Sequence, residues 1–161
     1  METVSIFVDV QNIYYTTRQA YNQHFDYNKF WAKTTANRQV VKAIAYTTER
    51  GDEKQRQFQN ILRAIGFEVK LKPFIQRADG SSKGDWDVGI TLDAIELTES
   101  SDVIILASGD GDFDLLANKI RDKHNASVEV YGVPQLTAKS LIDASSRFIA
   151  IDHQLLLTPR S

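Results

Sequence analysis

Asp102-Val-Ile-Ile-Leu-Ala107-Ser-Gly-Asp110-Gly-Asp112-Phe-Asp114 decides the fold. Its first half sets five apolar residues in succession. A strand apolar on both sides needs cover on both faces, which is the environment of a central parallel strand. Its second half breaks into glycine and aspartate, so the chain leaves the sheet there, and a helix starts near Asp112 carrying Leu115, Leu116 and Ile120. Upstream, the spacing predicts a helix from near Asp85 to about Thr98 with Val88, Leu92 and Ile95 on its stripe. A clearer helix runs from Asp52 to Ile65, where Phe58, Ile61, Leu62 and Ile65 recur at helical spacing and Gly66 supplies the stop. Further strands are expected at Val4–Val8, Val40–Ala45, Phe67–Leu71 (continuing through Lys72–Ile75), Ser127–Tyr131 and Phe148–Ile151. Strands and helices that alternate in this way form parallel βαβ units with right-handed crossovers. The expected fold is α/β, a three-layer sandwich around a mainly parallel sheet. No internal repeat or Pro/Gly/Ser-rich linker interrupts it, so residues 1–161 read as one domain, and the polar stretch Gln76–Gly84 reads as a mobile surface loop.

The 161 residues are 42% hydrophobic and 25% charged, ordinary values for a soluble domain able to bury a full core. Nineteen basic against 21 acidic residues give a net charge of −2, which excludes a polybasic binder that holds phosphates by a broad positive field. With no cysteine, a disulfide scaffold, a thiolate zinc site and a cysteine nucleophile are excluded together. No apolar run approaches the ~20 residues of a membrane span, and Met1–Val10 lacks a signal-peptide pattern, so a cytoplasmic protein without membrane contact is expected.

Several motifs fail on mechanism. There is no P-loop, and Gly109-Asp-Gly111 lacks dinucleotide-fingerprint spacing. Asp110–Asp114 opens like a calcium loop, but Leu115 replaces the turn glycine and Arg121 the closing glutamate. Gly80-Ser-Ser-Lys-Gly84 matches a nucleophile elbow only as text, since no strand precedes it. His24, His124 and His153 are scattered and support neither a catalytic base nor a zinc site.

What remains is a set of aspartates at strand ends. Ligands of open α/β sheets bind outside the carboxyl ends of the strands, where strand order reverses. With the first strand beside the Val103–Ala107 strand, Asp9 and Asp110 face each other across that crevice, and Asp87 and Asp112 stand at neighbouring helix starts. Crowded carboxylates repel unless a cation lies between them, and open oxygen sites suit Mg²⁺ or Mn²⁺. Each of Asp85, Asp87, Asp110 and Asp112 is also a reasonable helix cap. Asp9 needs no such role, and Asn12 either caps the first helix or orients Asp9 and a water. Asp93 stands round the helix from Asp87, in an outer position.

Phe7–Asn12, Lys83–Ala94 and Leu106–Leu115, in this order, resemble the three motifs of the NYN domain, LabA-like branch, in the PIN-like nuclease superfamily. Ser146–Asp152 is similar to that family's final strand, so the resemblance spans nearly the whole chain. It implies a PIN-like (Rossmann-like) topology and metal-dependent ribonuclease activity, cutting to leave a 5′-phosphate and a 3′-hydroxyl. By the same resemblance Asp9, Asp87, Asp110 and Asp112 take the metal-binding acidic positions, and Asn12 the asparagine of the first motif. Two departures stand out. Asp85 and Trp86 intervene after Gly84, so Asp85 competes with Asp87 (the better register), and Asp114 occupies a position commonly non-acidic.

The implied chemistry is in-line attack by a metal-activated water on a phosphodiester, with metal stabilising the departing oxygen. Arg18, Arg50 and Lys83, and more weakly Lys139, are candidates to hold RNA phosphates; Tyr14, Tyr15 and Trp86 are candidates to stack on unpaired bases. The partner expected is single-stranded RNA, with a homo-oligomer or protein partner open. Two other readings compete. One is a catalytically weak RNA- or protein-binding regulatory domain. The other is a haloacid-dehalogenase-type phosphatase with Asp9 as nucleophile, for which Gln11 replaces the companion acid.

Overall fold

Strand β1 (Thr3–Asp9) is buried at every position after Thr3 because it runs through the middle of the molecule. The computed structural model describes residues 1–73, 75–76, 82–83 and 85–158; the side chains of residues 73–84 and 123 are outside the description. Helices α1 (Val10–Tyr21) and α2 (Tyr27–Thr35) lead from β1 to β2 (Gln39–Glu49), and α3 (Glu53–Ile65) leads to β3 (Glu68–Pro73). A two-stranded antiparallel ribbon, β4 (Ile75–Gln76) with β5 (Ser82–Lys83), precedes α4 (Asp87–Leu97). The fully buried β6 (Val103–Ala107) is followed by α5 (Asp114–Lys123), β7 (Ser127–Gly132), α6 (Lys139–Ala144) and β8 (Arg147–Ala150).

The central sheet has six strands in the order β3-β2-β1-β6-β7-β8, every pair parallel. Right-handed crossovers then put successive helices on one face until the strand order reverses. One core gathers Val4, Ile6 and Val8 of β1 with Ile13, Phe30 and Leu62 of α1, α2 and α3. The other gathers Phe7 with Ile90, Leu116 and Leu141 of α4, α5 and α6. The sheet thus carries helices on both faces, and its order reverses between β1 and β6. This is the three-layer α/β sandwich expected.

Details differ from the hydrophobic pattern. Ile90 and Ala94 are the buried residues of α4, whereas Val88 and Leu92 are 71% and 64% exposed. That helix is apolar nearly all round, so hydrophobic spacing alone could not choose its inner face. Leu115 (78%) and Ile61 (55%) are also exposed, because Leu116 and Leu62, their neighbours in sequence, fill the core positions. Strand β2 extends past Ala45 to Glu49, as Tyr46, Thr47 and Thr48 pair with β3. Gly66 does end α3, at φ 139°, and a Cβ there would meet the Trp31 indole at 2.6 Å. Phe74 and most of Gln76–Gly84, read as a loop, lie outside the described residues.

Candidate metal centre

Parallel pairing of β1 with β6 ends at Val8 opposite Ala107, which sets Asp9 and Ser108 side by side at the reversal point. Asp9 is 9% exposed. One of its oxygens accepts the Asn12 backbone N–H at 3.4 Å, so Asp9 caps α1, a role its place at a strand end had not suggested. The other accepts the Ser108 hydroxyl at 3.2 Å, and the Ser108 oxygen in turn accepts the Asp110 N–H at 3.2 Å. The Asn12 side-chain oxygen accepts the Gly109 N–H at 2.9 Å, so Asn12 fastens the loop after β6 instead of capping its own helix.

That loop turns tightly against the chain before α6. A Cβ on Gly109 would lie 2.7 Å from the Leu136 carbonyl oxygen, and one on Gly111 would lie 2.8 Å from the Ala138 methyl. Asp110 then caps a single 3-10 turn (Gly111–Phe113) by accepting the Asp112 N–H at 2.9 Å. Across the crevice, Asp87 is the first residue of α4, beneath the Asp85 carboxylate, which accepts the Asp87 N–H at 3.4 Å.

These constraints bring Asp87, Asp110 and Asp112 together, each offering a carboxylate oxygen within 4.8 Å of the others. Burial chiefly, then a hydrogen bond from carboxyl to carboxyl with Asp110, pushes the Asp87 pKa up to about 7; the charges of Asp110, Asp85 and Asp9 add to it. Asp9 is pushed up to about 6, again mainly by burial, against the lowering effect of its Asn12 and Ser108 bonds. Through Ser108, Asp9 is linked to Asp110 and so borders the same site, where the charges of Asp110 and Asp85 also act to raise its pKa. Three hard oxygen donors converging in this way fit a divalent cation with open coordination positions.

The remaining acids sit elsewhere. Asp85 is exposed, and of the pair Asp85 and Asp87 it is Asp87 whose carboxylate joins the group. Asp93 accepts the Tyr46 hydroxyl and the Lys70 ammonium, both at 2.8 Å, and so ties α4 to the β2–β3 edge. Asp114 is half-buried at the start of α5.

Among the candidate cations, Arg50 follows β2 at the mouth of a cavity beside α1, and Arg18 bonds the Tyr14 hydroxyl at 3.1 Å farther along α1. Lys139 pairs with Asp143 at 2.9 Å, and the Lys83 side chain lies outside the description. Trp86 is a buttress: its indole N–H donates to the Thr47 carbonyl at 2.9 Å, and its ring packs on Tyr46 and under the Lys72 ammonium. Those contacts occupy the faces that base stacking would need. Two positions escaped the sequence reading. Ser108, which couples Asp9 to Asp110, was marked only by a hydroxyl directly after a buried strand. Lys72 donates to the Asp85 carbonyl at 3.1 Å, and no local pattern marked it.

The NYN domain family model matches residues 3–152. The chain belongs to the NYN domain family. As an NYN domain it is 29% identical over 158 residues to the Low amplitude and bright protein LabA of Synechococcus elongatus, covering 92% of this chain and 83% of that protein. A crystal structure of a protein of unknown function from Vibrio parahaemolyticus has the same fold, with a TM-score of 0.93 and 58% identity, covering 97% of this chain and 96% of that one. Among the described residues, no helix of this NYN domain is long and apolar enough to cross a membrane.

Proposed function

We propose that this NYN domain is a ribonuclease that hydrolyses RNA phosphodiester bonds with Mg²⁺ or Mn²⁺ held by Asp87, Asp110 and Asp112, with Asp9 at the edge of the site. The observation that carries the reading is the convergence of three carboxylates, with oxygens within 4.8 Å of one another, at the strand-order reversal. Membership of a family in the PIN-like nuclease superfamily supports RNA as the substrate class. A cation of this kind, when bound, supplies Lewis-acid chemistry: it lowers the pKa of a water and neutralises charge on the phosphodiester.

The chain's own residues prepare that chemistry. Asn12 and Ser108 hold the β6 loop so that Asp110 faces Asp87. Burial raises the Asp87 pKa to about 7 and the Asp9 pKa to about 6, so below neutrality protons compete with a cation for these carboxylates. Apolar packing beneath the site (Phe113 and Ile90) excludes water from one side.

A catalytically weak binding domain is the second reading. The exposed Val88, Leu92 and Leu115 beside the site favour it, as apolar surface that a protein partner or a second copy could cover. The two are separated by incubating single-stranded RNA with wild type and Asp110→Asn in Mn²⁺. Wild-type cleavage that the variant loses supports the nuclease. Binding without cleavage by either supports the second reading.

A further inference from the structure

A cavity of about 560 Å³ opens between α1 and the start of α3. Its lining begins at Val10 and Gln11, directly after Asp9, and passes the carboxyl end of β2 at Thr47 and Thr48. The carbonyl of Thr47 also anchors Trp86, next in sequence to Asp87, so one strand end borders both the cavity and the cluster. Tyr15 and Tyr14 stand on the α1 wall, 51% and 40% exposed, with rings edge to face at 5.4 Å. Arg50 and Lys54 contribute positive charge to the lining at the β2–α3 end, where Asp52 caps α3 through the Gln55 N–H and Glu49 is held by the Gly51 N–H. Aromatic walls, cations at one end and nearby hydroxyls differ in kind from the acidic cluster.

From this arrangement we infer that the cavity is a subsite for one unpaired nucleotide of the RNA strand, flanking the bond to be cut. The base stacks on Tyr15, because the Tyr14 ring already carries His24 stacked at 6.0 Å and Arg18 over it, and the phosphate lies toward Arg50 and Lys54. The volume is in the range of small-ligand pockets, ~300–1,000 Å³, and aromatic side chains are stacking platforms for unpaired bases. A paired base cannot present its face to such a wall, so the subsite selects single-stranded RNA. The occupant rests on the nuclease reading, but the pocket's capacity to hold a nucleotide is independent of any metal.

The test titrates the full-length ¹⁵N-labelled protein with adenosine 5′-monophosphate and uridine 5′-monophosphate in EDTA, followed by amide chemical shifts. Saturable shifts at Tyr15, Thr48, Arg50 and Gln55 are expected, weakened at least about fivefold by Tyr15→Ala and by Arg50→Ala, and largely kept by Tyr15→Phe because the ring remains. Identical amide spectra elsewhere establish that the variants are folded. Equal binding of ribose 5-phosphate overturns the stacking claim, and an absence of saturable shifts in the cavity overturns the subsite. A parallel Mg²⁺ titration without EDTA reads Asp87, Asp110 and Asp112 separately, so failure of the subsite and failure of the metal reading are distinguishable.

Discussion

Carboxylate oxygens of Asp87 and Asp110 lie within 4.8 Å of each other, although one residue begins α4 and the other follows β6. Two carboxylates so close repel each other unless one holds a proton or a cation lies between them. Asp112 lies within reach of both, and burial raises the pKa of nearby Asp9 to about 6, so the site favours protons on the acid side of neutrality. A divalent cation competes for the same oxygens.

The pH dependence follows from that competition. Asp9 is raised from 3.8 to about 6 in the folded chain, so over this window the native state binds more protons than the unfolded chain. Stability from this group is therefore greatest at acid pH and is lost as pH rises through the folded value. Relative to wild type, Asp9→Asn should gain up to about 2 kcal/mol in metal-free buffer between about pH 4 and pH 7. Urea unfolding of both proteins at several pH values measures it; a difference independent of pH would contradict the buried-acid picture.

Asp87→Asn should raise the metal-free melting temperature at about pH 8, where the wild-type carboxyl is ionised among like charges. The gain is about 1 kcal/mol, discounted for its partial exposure, or a few degrees in Tm. In wild type, Mn²⁺ at ~100 times its Kd should add ~2.7 kcal/mol, and this variant should lose most of that increment. Thermal scans with and without Mn²⁺ read both effects.

Asn12→Ala removes the acceptor for the Gly109 N–H in a part-buried position. The loss should cost about 1–2 kcal/mol in stability. It should also weaken metal binding, because the loop carrying Asp110 is no longer fastened to α1. Calorimetric titration with Mn²⁺ should show the weaker affinity while the far-ultraviolet spectrum stays that of wild type.

Gly109→Ala places a methyl 2.7 Å from a backbone oxygen, which no side-chain rotation relieves. About 1–3 kcal/mol of destabilisation is expected, with loss of metal response through displacement of Asp110. Gly51→Ala is the contrast: no atom lies within 4 Å of its Cβ, but its φ of 76° strains any side chain, so stability falls while the metal response stays.

How much the sequence disclosed follows from the reach of each signal. β1 and β6 were legible because continuous apolar runs have few other uses, and the reversal between them placed Asp9 and Asp110 in one crevice. The inner face of α4 was not legible: Val88, Ile90, Leu92 and Ala94 are all apolar, and only packing on Phe7 and Tyr46 selects Ile90 and Ala94. Sequence left Asn12 between helix capping and orienting Asp9; its bond to Gly109 was not legible because it joins residues far apart in the chain. Helical spacing placed Asp93 outside the carboxylate group, but that Lys70 and Tyr46 hold it across the sheet edge was not legible. Lys72 could not be tied to Asp85 without the approach of β3 to α4.

The most direct measurement is the cleavage rate of an end-labelled single-stranded RNA in Mn²⁺, with wild type and Asp110→Asn purified in parallel. The account predicts metal-dependent products bearing 5′-phosphate and 3′-hydroxyl ends from wild type, abolished by EDTA and reduced at least ~100-fold in the variant, the scale of losing a group that acts in the transition state. Equal rates from both proteins, or no cleavage by a wild type that still binds the RNA, would contradict it.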